Sequence, residues 1–337
     1  MFKESNRFEK IIITISVSLF LLLPTGVLGA VEGDFTHLNK SKVKSGCGAC
    51  HDATGRGKPA MLKDYAVELC LRCHGPSGKI EERANSNIFS IITKKSNHPV
   101  IETSKYHTPN EELPEKAAAM PRHVSCLDCH NAHMTKSGNV LTWIRGTDLS
   151  GVKKIRAEKE SEVCYNCHSD SINLPSTSYN IRLEFDPGNA SYHPVERTSR
   201  GRSRSLYKGI SQGSYINCSS CHEPHGSDHS PLLRLNYNLT DGAESPYAYE
   251  LCYNCHNRDS ILSNQSFRGS PSAEYGHREH IIYQKTSCYT CHASHGSSMY
   301  PNLISFNPTI VTGARQYFDY RGGRAQCNLT CHSKVHK

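Results

Sequence analysis

The chain has 337 residues, 36% of them apolar, and 16 of that apolar set are cysteines. Soluble domains average about 45–50% apolar residues on a similar count, so side chains alone fall short of two conventional cores, while 17 Tyr and 9 Phe exclude the aromatic-poor composition of a disordered chain. The formal charge of +8 suits a protein that meets nucleic acid or an acidic surface, unless something outside the sequence cancels it.

At the N-terminus, Lys3, Arg7 and Lys10 precede an apolar run from Ile11 to Leu23, which Pro24 breaks ahead of the small residues Gly26, Gly29 and Ala30. This pattern predicts a secretory signal peptide over residues 1–30. The run of 13 residues is short of the roughly 20 that a spanning helix needs. No later stretch is long and apolar enough, so the remainder is expected to be exported without a transmembrane segment: periplasmic, associated with the outer membrane, or extracellular.

Four units follow. Residues 31–96 hold His37, Cys47-x-x-Cys50-His51 and Cys70-x-x-Cys73-His74. Residues 97–190 open on Asn97-His98-Pro99-Val100 and continue with Cys126-x-x-Cys129-His130, a further His133, and Cys164-x-x-Cys167-His168. Residues 191–270 repeat the order, with Tyr192-His193-Pro194-Val195, Cys218-x-x-Cys221-His222 followed by His225-Gly226, and Cys252-x-x-Cys255-His256. Residues 271–337 carry His277 and His280, Cys288-x-x-Cys291-His292 followed by His295-Gly296, and a last motif, Cys327, Cys331 and His332, whose cysteines stand one residue further apart.

These eight motifs use every cysteine, and a histidine follows each pair. Structural zinc takes four ligands and gives no reason for that histidine; disulfides suit an exported chain but leave it equally unexplained; redox-active CxxC pairs occur singly. A CxxCH run is the attachment site of a c-type haem. The cysteines form two thioethers to the porphyrin and the next residue places its imidazole on the iron. Eight covalent haems also supply the missing apolar core. Each ferric haem with two propionates adds about −1, and removing residues 1–30 leaves +7 on the protein, so the mature chain is near neutral and nucleic acid is not an expected partner.

The repeated free histidine, CxxCHxxH and CxxCH resemble the doubled-CxxCH multihaem cytochromes c, a family of periplasmic carriers, outer-membrane conduit subunits and extracellular cytochromes. The resemblance covers essentially the whole mature chain. It implies a fold that is mostly coil with short α-helices around a chain of stacked haems and little or no sheet, divided into four di-haem units. It implies other cytochromes or an outer-membrane conduit as redox partners.

Of 20 histidines, eight follow cysteine pairs and are the proximal iron ligands, leaving twelve for the opposite faces. If the segment after a motif is a helical turn, His133 lies on the same side as His130 and cannot reach the far face of that iron. It is therefore expected to ligate a different haem, as are His225 and His295. His37, His98 and His193 are expected as further distal ligands, His277 competes with His280, and the eighth place falls to His123, ahead of His107, His229 and His336. Thr54 stands where unit one would have its CHxxH histidine, which leaves one distal ligand unassigned.

Between the motifs, a charged stretch from Val152 to Cys167 predicts an exposed helix, 113–120 a further turn, and 173–189 and 201–213 loops. The basic run from Arg197 to Lys208 is either a docking loop or a solvated one. Tyr165, Tyr253 and Tyr289, inside their motifs, pack on porphyrin edges or in ordinary contacts. Irons held by two histidines have no open position, so electron transfer without catalysis is the leading expectation. A reductase of nitrite, hydroxylamine or a sulfur oxyanion, with one open iron suggested by Thr54, is the alternative, and assembly into an extracellular haem filament is a third.

Overall fold

The structure is a computed structural model that describes residues 35–54, 61–78, 87–101, 124–136, 139, 141–170, 179–198, 203–210, 213–267, 276–308 and 311, with the backbone of three strands between 317 and 336. The expected signal peptide (1–30), the expected turn at 113–120, His107 and His123 lie outside the described residues.

Elements are short and follow the motifs. A 3-10 turn at Gly46–Ala49 precedes α1 (Ala66–His74), α2 (Phe89–Ile92), β1 (Ser96–Asn97) and α3 (Cys126–Cys129). β2 (Gly146–Thr147), β3 (Lys153–Lys154), α4 (Glu160–Cys164), α5 (Ile181–Glu184) and β4 (Ser191–Tyr192) come next. A 3-10 turn at Cys218–Ser220 leads to β5 (Gly226–Ser227), α6 (Glu250–Tyr253) and α7 (Arg258–Leu262). The chain ends with a π-helical turn at Glu279–Tyr283, α8 (Cys288–Cys291), β6 (Gly296–Ser297), β7 (Tyr317–Arg321), β8 (Arg324–Leu329) and β9 (His332–His336). Coil with short helices dominates, as the sequence implies.

Side chains cap the turns that carry the motifs. The Ser125 N–H donates to Asp128 Oδ2 at 2.6 Å at the start of α3. Ser287 Oγ accepts from the Tyr289 N–H at 3.2 Å ahead of α8, while the Ser287 N–H donates to Asp241 at 2.8 Å. These contacts satisfy backbone donors that such short helices leave open.

The expected helix from Val152 to Cys167 is a correction. β3 pairs antiparallel with β2, placing Lys154 opposite Gly146 and Lys153 opposite Thr147, and only Glu160–Cys164 is helical. Glu162 causes the turn-back: buried, its carboxylate accepts from the Glu158 N–H at 2.6 Å, the Lys159 N–H at 3.3 Å and Lys154 Nζ at 2.9 Å. Mixed charges that read as a solvated face thus close on one buried carboxylate. The expected loop at 173–189 is likewise interrupted by α5.

Two short strand pairs join successive units. β1 pairs antiparallel with β5, with Asn97 opposite Gly226, and β4 with β6, with Tyr192 opposite Gly296. The glycines are dictated by close approach. A Cβ on Gly226 would lie 2.0 Å from the Ile91 carbonyl of α2, and one on Gly296 would lie 1.8 Å from the Glu184 carbonyl of α5. Only glycine admits a backbone that near.

At the C-terminus, β7, β8 and β9 form an antiparallel sheet in that order, with Cys327 opposite Phe318 and Lys334 and with His332 opposite Leu329. The last motif therefore spans a hairpin. Elsewhere the apolar core is thin: Ala248, Tyr249, Leu262 and Ile281 form one cluster against Cys252 and Cys288, and Tyr165, Phe185 and Val195 form another against Cys218. Among the described residues no helix is long and apolar enough to cross a membrane.

Candidate functional site

Each of the first seven motifs closes one helical turn. In six of them the histidine N–H donates to the carbonyl of the first cysteine at 2.9 Å: His51 to Cys47, His130 to Cys126, His168 to Cys164, His222 to Cys218, His256 to Cys252 and His292 to Cys288. The seventh, Cys70 to His74, lies inside α1. One turn of this kind gathers both thiols and the imidazole on one side of the backbone. None of the 14 described cysteines is in a disulfide, so all remain available for thioethers. Burial pushes the thiols of Cys129 and Cys221 up to about 11.

The imidazoles of these motifs face partners from elsewhere in the chain. Ring centres are 5.8 Å apart for His51 and His133, 6.0 Å for His74 and His37, and 6.0 Å for His130 and His225. They are 6.0 Å apart for His168 and His98, 6.2 Å for His222 and His295, 6.4 Å for His256 and His193, and 6.1 Å for His292 and His277. A metal–imidazole bond of about 2.0 Å, with about 1.1 Å more from nitrogen to ring centre on each side, places two imidazoles that share one metal about 6 Å apart. Packed rings have no reason to stop at that distance seven times. The spacing fits an iron that a porphyrin already holds in four positions and that needs two more ligands.

The other ring nitrogens are turned the right way. Nδ1 of His98 donates to the Pro224 carbonyl at 2.5 Å, His193 to Ser294 at 2.6 Å, His222 to Pro231 at 3.1 Å and His292 to Asn302 at 2.9 Å. A carbonyl only accepts, so these Nδ1 atoms carry the proton and Nε2 keeps its lone pair for a metal. His256 Nδ1 meets Ser205 Oγ at 2.6 Å and His277 Nδ1 meets Ser266 Oγ at 3.2 Å. His225 and His295 instead turn Nδ1 toward carboxylates, Glu223 at 3.7 Å and Glu184 at 3.8 Å. Such partners orient metal-ligating histidines and raise their basicity.

Burial, with neighbouring imidazoles adding to it, lowers the pKa of His168, His256 and His295 to about 4 and that of His277 to about 3. The rings are neutral at physiological pH, the form that binds a metal.

Successive turns also touch. Cys70 lies beside Cys126, Cys164 beside Cys218 and Cys252 beside Cys288, bringing the second motif of each unit to the first of the next. Within units, Cys50 lies within electrostatic reach of Cys73, and Cys221 of Cys255 and Cys252. Motifs one to seven thus form a continuous series through space in the order of the sequence.

The structure brings His37, His98, His133, His193, His225 and His295 each to a different proximal histidine. Between His277 and His280, it is His277 that faces His292, while Nδ1 of His280 binds the Gly276 carbonyl at 2.9 Å. His229 pairs with the ring of Tyr247. The side chains of Cys327, His332 and His336, and all of Cys331 and His123, fall outside the described residues. Tyr165, 1% exposed, packs with Phe185 and Val195, and Tyr253 stands in an aromatic cluster with Tyr249. The acceptors at Pro224, Ser294, Pro231 and Asn302 are absent from the sequence reading, because every residue has a carbonyl and no residue type marks these.

The family described as carrying the doubled CXXCH motif matches residues 41–79, 120–173 and 210–261. The chain is 23% identical over 329 residues to the protein named multiheme cytochrome MtrA from Shewanella baltica (strain OS185), an alignment that covers 89% of this chain and 75% of that one.

Proposed function

Because the chain belongs to the multihaem c-type cytochromes with doubled CxxCH motifs, we propose that it is an exported octahaem electron carrier of respiratory or extracellular electron transfer, handing electrons to other cytochromes or an outer-membrane conduit. One observation carries this reading: seven proximal histidines each face a second imidazole 5.8–6.4 Å away. Haem attached at these turns supplies a one-electron ferric–ferrous couple.

The protein's own part is positioning. In the seven described motifs the cysteine pairs would hold a haem to a helical turn, and the facing imidazoles would supply two ligands to its iron, which would leave no position there for a substrate. Carbonyls on Nδ1 hold the rings in place through a change of charge, so little rearrangement accompanies each transfer. The closeness of cysteines from successive motifs would make the haems attached there neighbours.

The pairing pattern also bears on the reductase alternative, whose support was Thr54. His133, His225 and His295 each face the first motif of the preceding unit, so a CHxxH histidine serves the unit upstream. Both motifs of unit one already have a facing imidazole, His133 for His51 and His37 for His74, so Thr54 leaves neither of them without one. Nor does unit one call for a histidine from a second copy in a filament. Film voltammetry of the mature holoprotein tests the reading: reversible uptake of electrons, unaltered by nitrite, hydroxylamine or sulfite, is expected. A catalytic current with any of them would falsify it.

A further inference from the structure

The seven imidazole pairs fall into two geometric classes that alternate along the chain. Where the distal ring comes from a CHxxH turn the planes are near parallel: 9° for His51 with His133, 20° for His130 with His225 and 24° for His222 with His295. Where it is the free histidine of the unit the planes are strongly crossed: 63° for His74 with His37, 64° for His168 with His98 and 70° for His256 with His193. The pair His292 and His277, at 41°, stands between them.

Each crossed distal ring meets the next unit, two of them through a hydrogen bond. His98 donates Nδ1–H to the carbonyl of Pro224, the residue before His225, and His193 donates to that of Ser294, the residue before His295. His37 faces the carbonyl of Ala132, the residue before His133, without a closed hydrogen bond. An Nδ1–H lies in its ring plane, so the carbonyl it binds fixes that plane. The strand pairs reinforce the relation, since Asn97 and Tyr192, each preceding a free histidine, lie opposite Gly226 and Gly296. One CHxxH turn therefore acts on both irons of the unit before it, capping the first with its histidine and orienting the distal ring of the second with its carbonyl.

We propose that each CHxxH turn, with Gly226 and Gly296 after the second and third of them, is a positioning element for the whole preceding unit, and that these turns divide the irons into two alternating electronic classes, parallel at the first motif of a unit and crossed at the second. Ring orientation has electronic consequences. Parallel imidazole planes split the two iron d orbitals that overlap their π systems, and crossed planes leave them nearly equal in energy. The proposal rests on the bis-histidine reading above and is separable from it.

Electron paramagnetic resonance of the oxidised wild-type holoprotein is the test. Two sets of low-spin signals are expected, a rhombic set with three resolved g values and a set with one dominant large-g feature, with three of the six patterned irons in each. Low-spin signals of a single class overturn this inference and leave the bis-histidine reading standing; a dominant high-spin signal overturns both. Gly226→Val, which forces a side chain against the Ile91 carbonyl, is expected to shift one signal of each class, those of the irons at His130 and His168. A shift confined to the rhombic set removes the orienting role, and the wild-type spectrum decides the two classes even if this variant does not mature.

Discussion

The imidazole of His133 faces that of His51 at 5.8 Å and 9°, although the two rings belong to different units of the chain. His133 is three residues from His130 and does not face it; the helical turn expected to carry both rings ends at Cys129, the backbone at His130 being extended, so the separation comes from the chain leaving the turn there. The same displacement by one unit recurs for His225 and His295. It converts a linear series of repeats into an interlocked one.

His225→Ala is therefore expected to open the iron held by His130, not the one held by His222, which keeps His295 at 6.2 Å. One low-spin iron becomes high-spin and its potential moves upward as a strong donor is lost. A structure of the variant reads the site directly, and loss of the sixth ligand beside His222 would sink the geometric argument.

His277 and His280 separate in the same way. His277→Ala should leave the iron at His292 five-coordinate or water-bound, whereas His280→Ala should leave the oxidised spectrum low-spin throughout. Near-infrared and high-spin marker bands distinguish them. Equal effects from the two variants would mean that both histidines share the role.

Intact-mass measurement of mature protein should show eight haem additions, and Cys327→Ala should weaken or remove one of them. The last motif is the informative case, since it spans the β8–β9 hairpin instead of a helical turn. Seven additions in fully matured wild-type material would restrict covalent attachment to the motifs that close a turn.

Glu162 gives a stability prediction outside the iron sites. Its hydrogen bonds and Lys154 outweigh burial, the largest single influence on it, and hold its carboxyl below the ordinary value. A lowered folded-state value means that the stabilisation is complete above the unfolded value of 4.5 and is lost as pH falls through the folded one. Glu162→Gln should cost about 1.5–3 kcal/mol near neutral pH, the usual worth of hydrogen bonds to a buried charged group. The difference from wild type in chemical denaturation should shrink as pH drops below 4.5; a difference independent of pH would show that the charge is not what matters.

The sequence by itself determined the attachment chemistry, since two cysteines and a histidine within five residues close one turn whatever surrounds them. It also pointed His133, His225 and His295 away from the histidines of their own motifs, although the helical turn behind that expectation is not formed, since the backbone at His130 and His292 is extended. Which proximal ring each of the other histidines faces was decided only by the tertiary structure: His37, His98 and His193 lie far along the chain from the rings they face, and free histidines look alike in sequence. The reversal at Lys153–Lys154 was hidden for a related reason, since a buried Glu162 and a solvated one read the same until its three donors converge. The crossed and parallel ring planes were likewise beyond the sequence, because they depend on the carbonyls of Pro224 and Ser294, and a carbonyl becomes distinctive only when the fold brings a histidine to it.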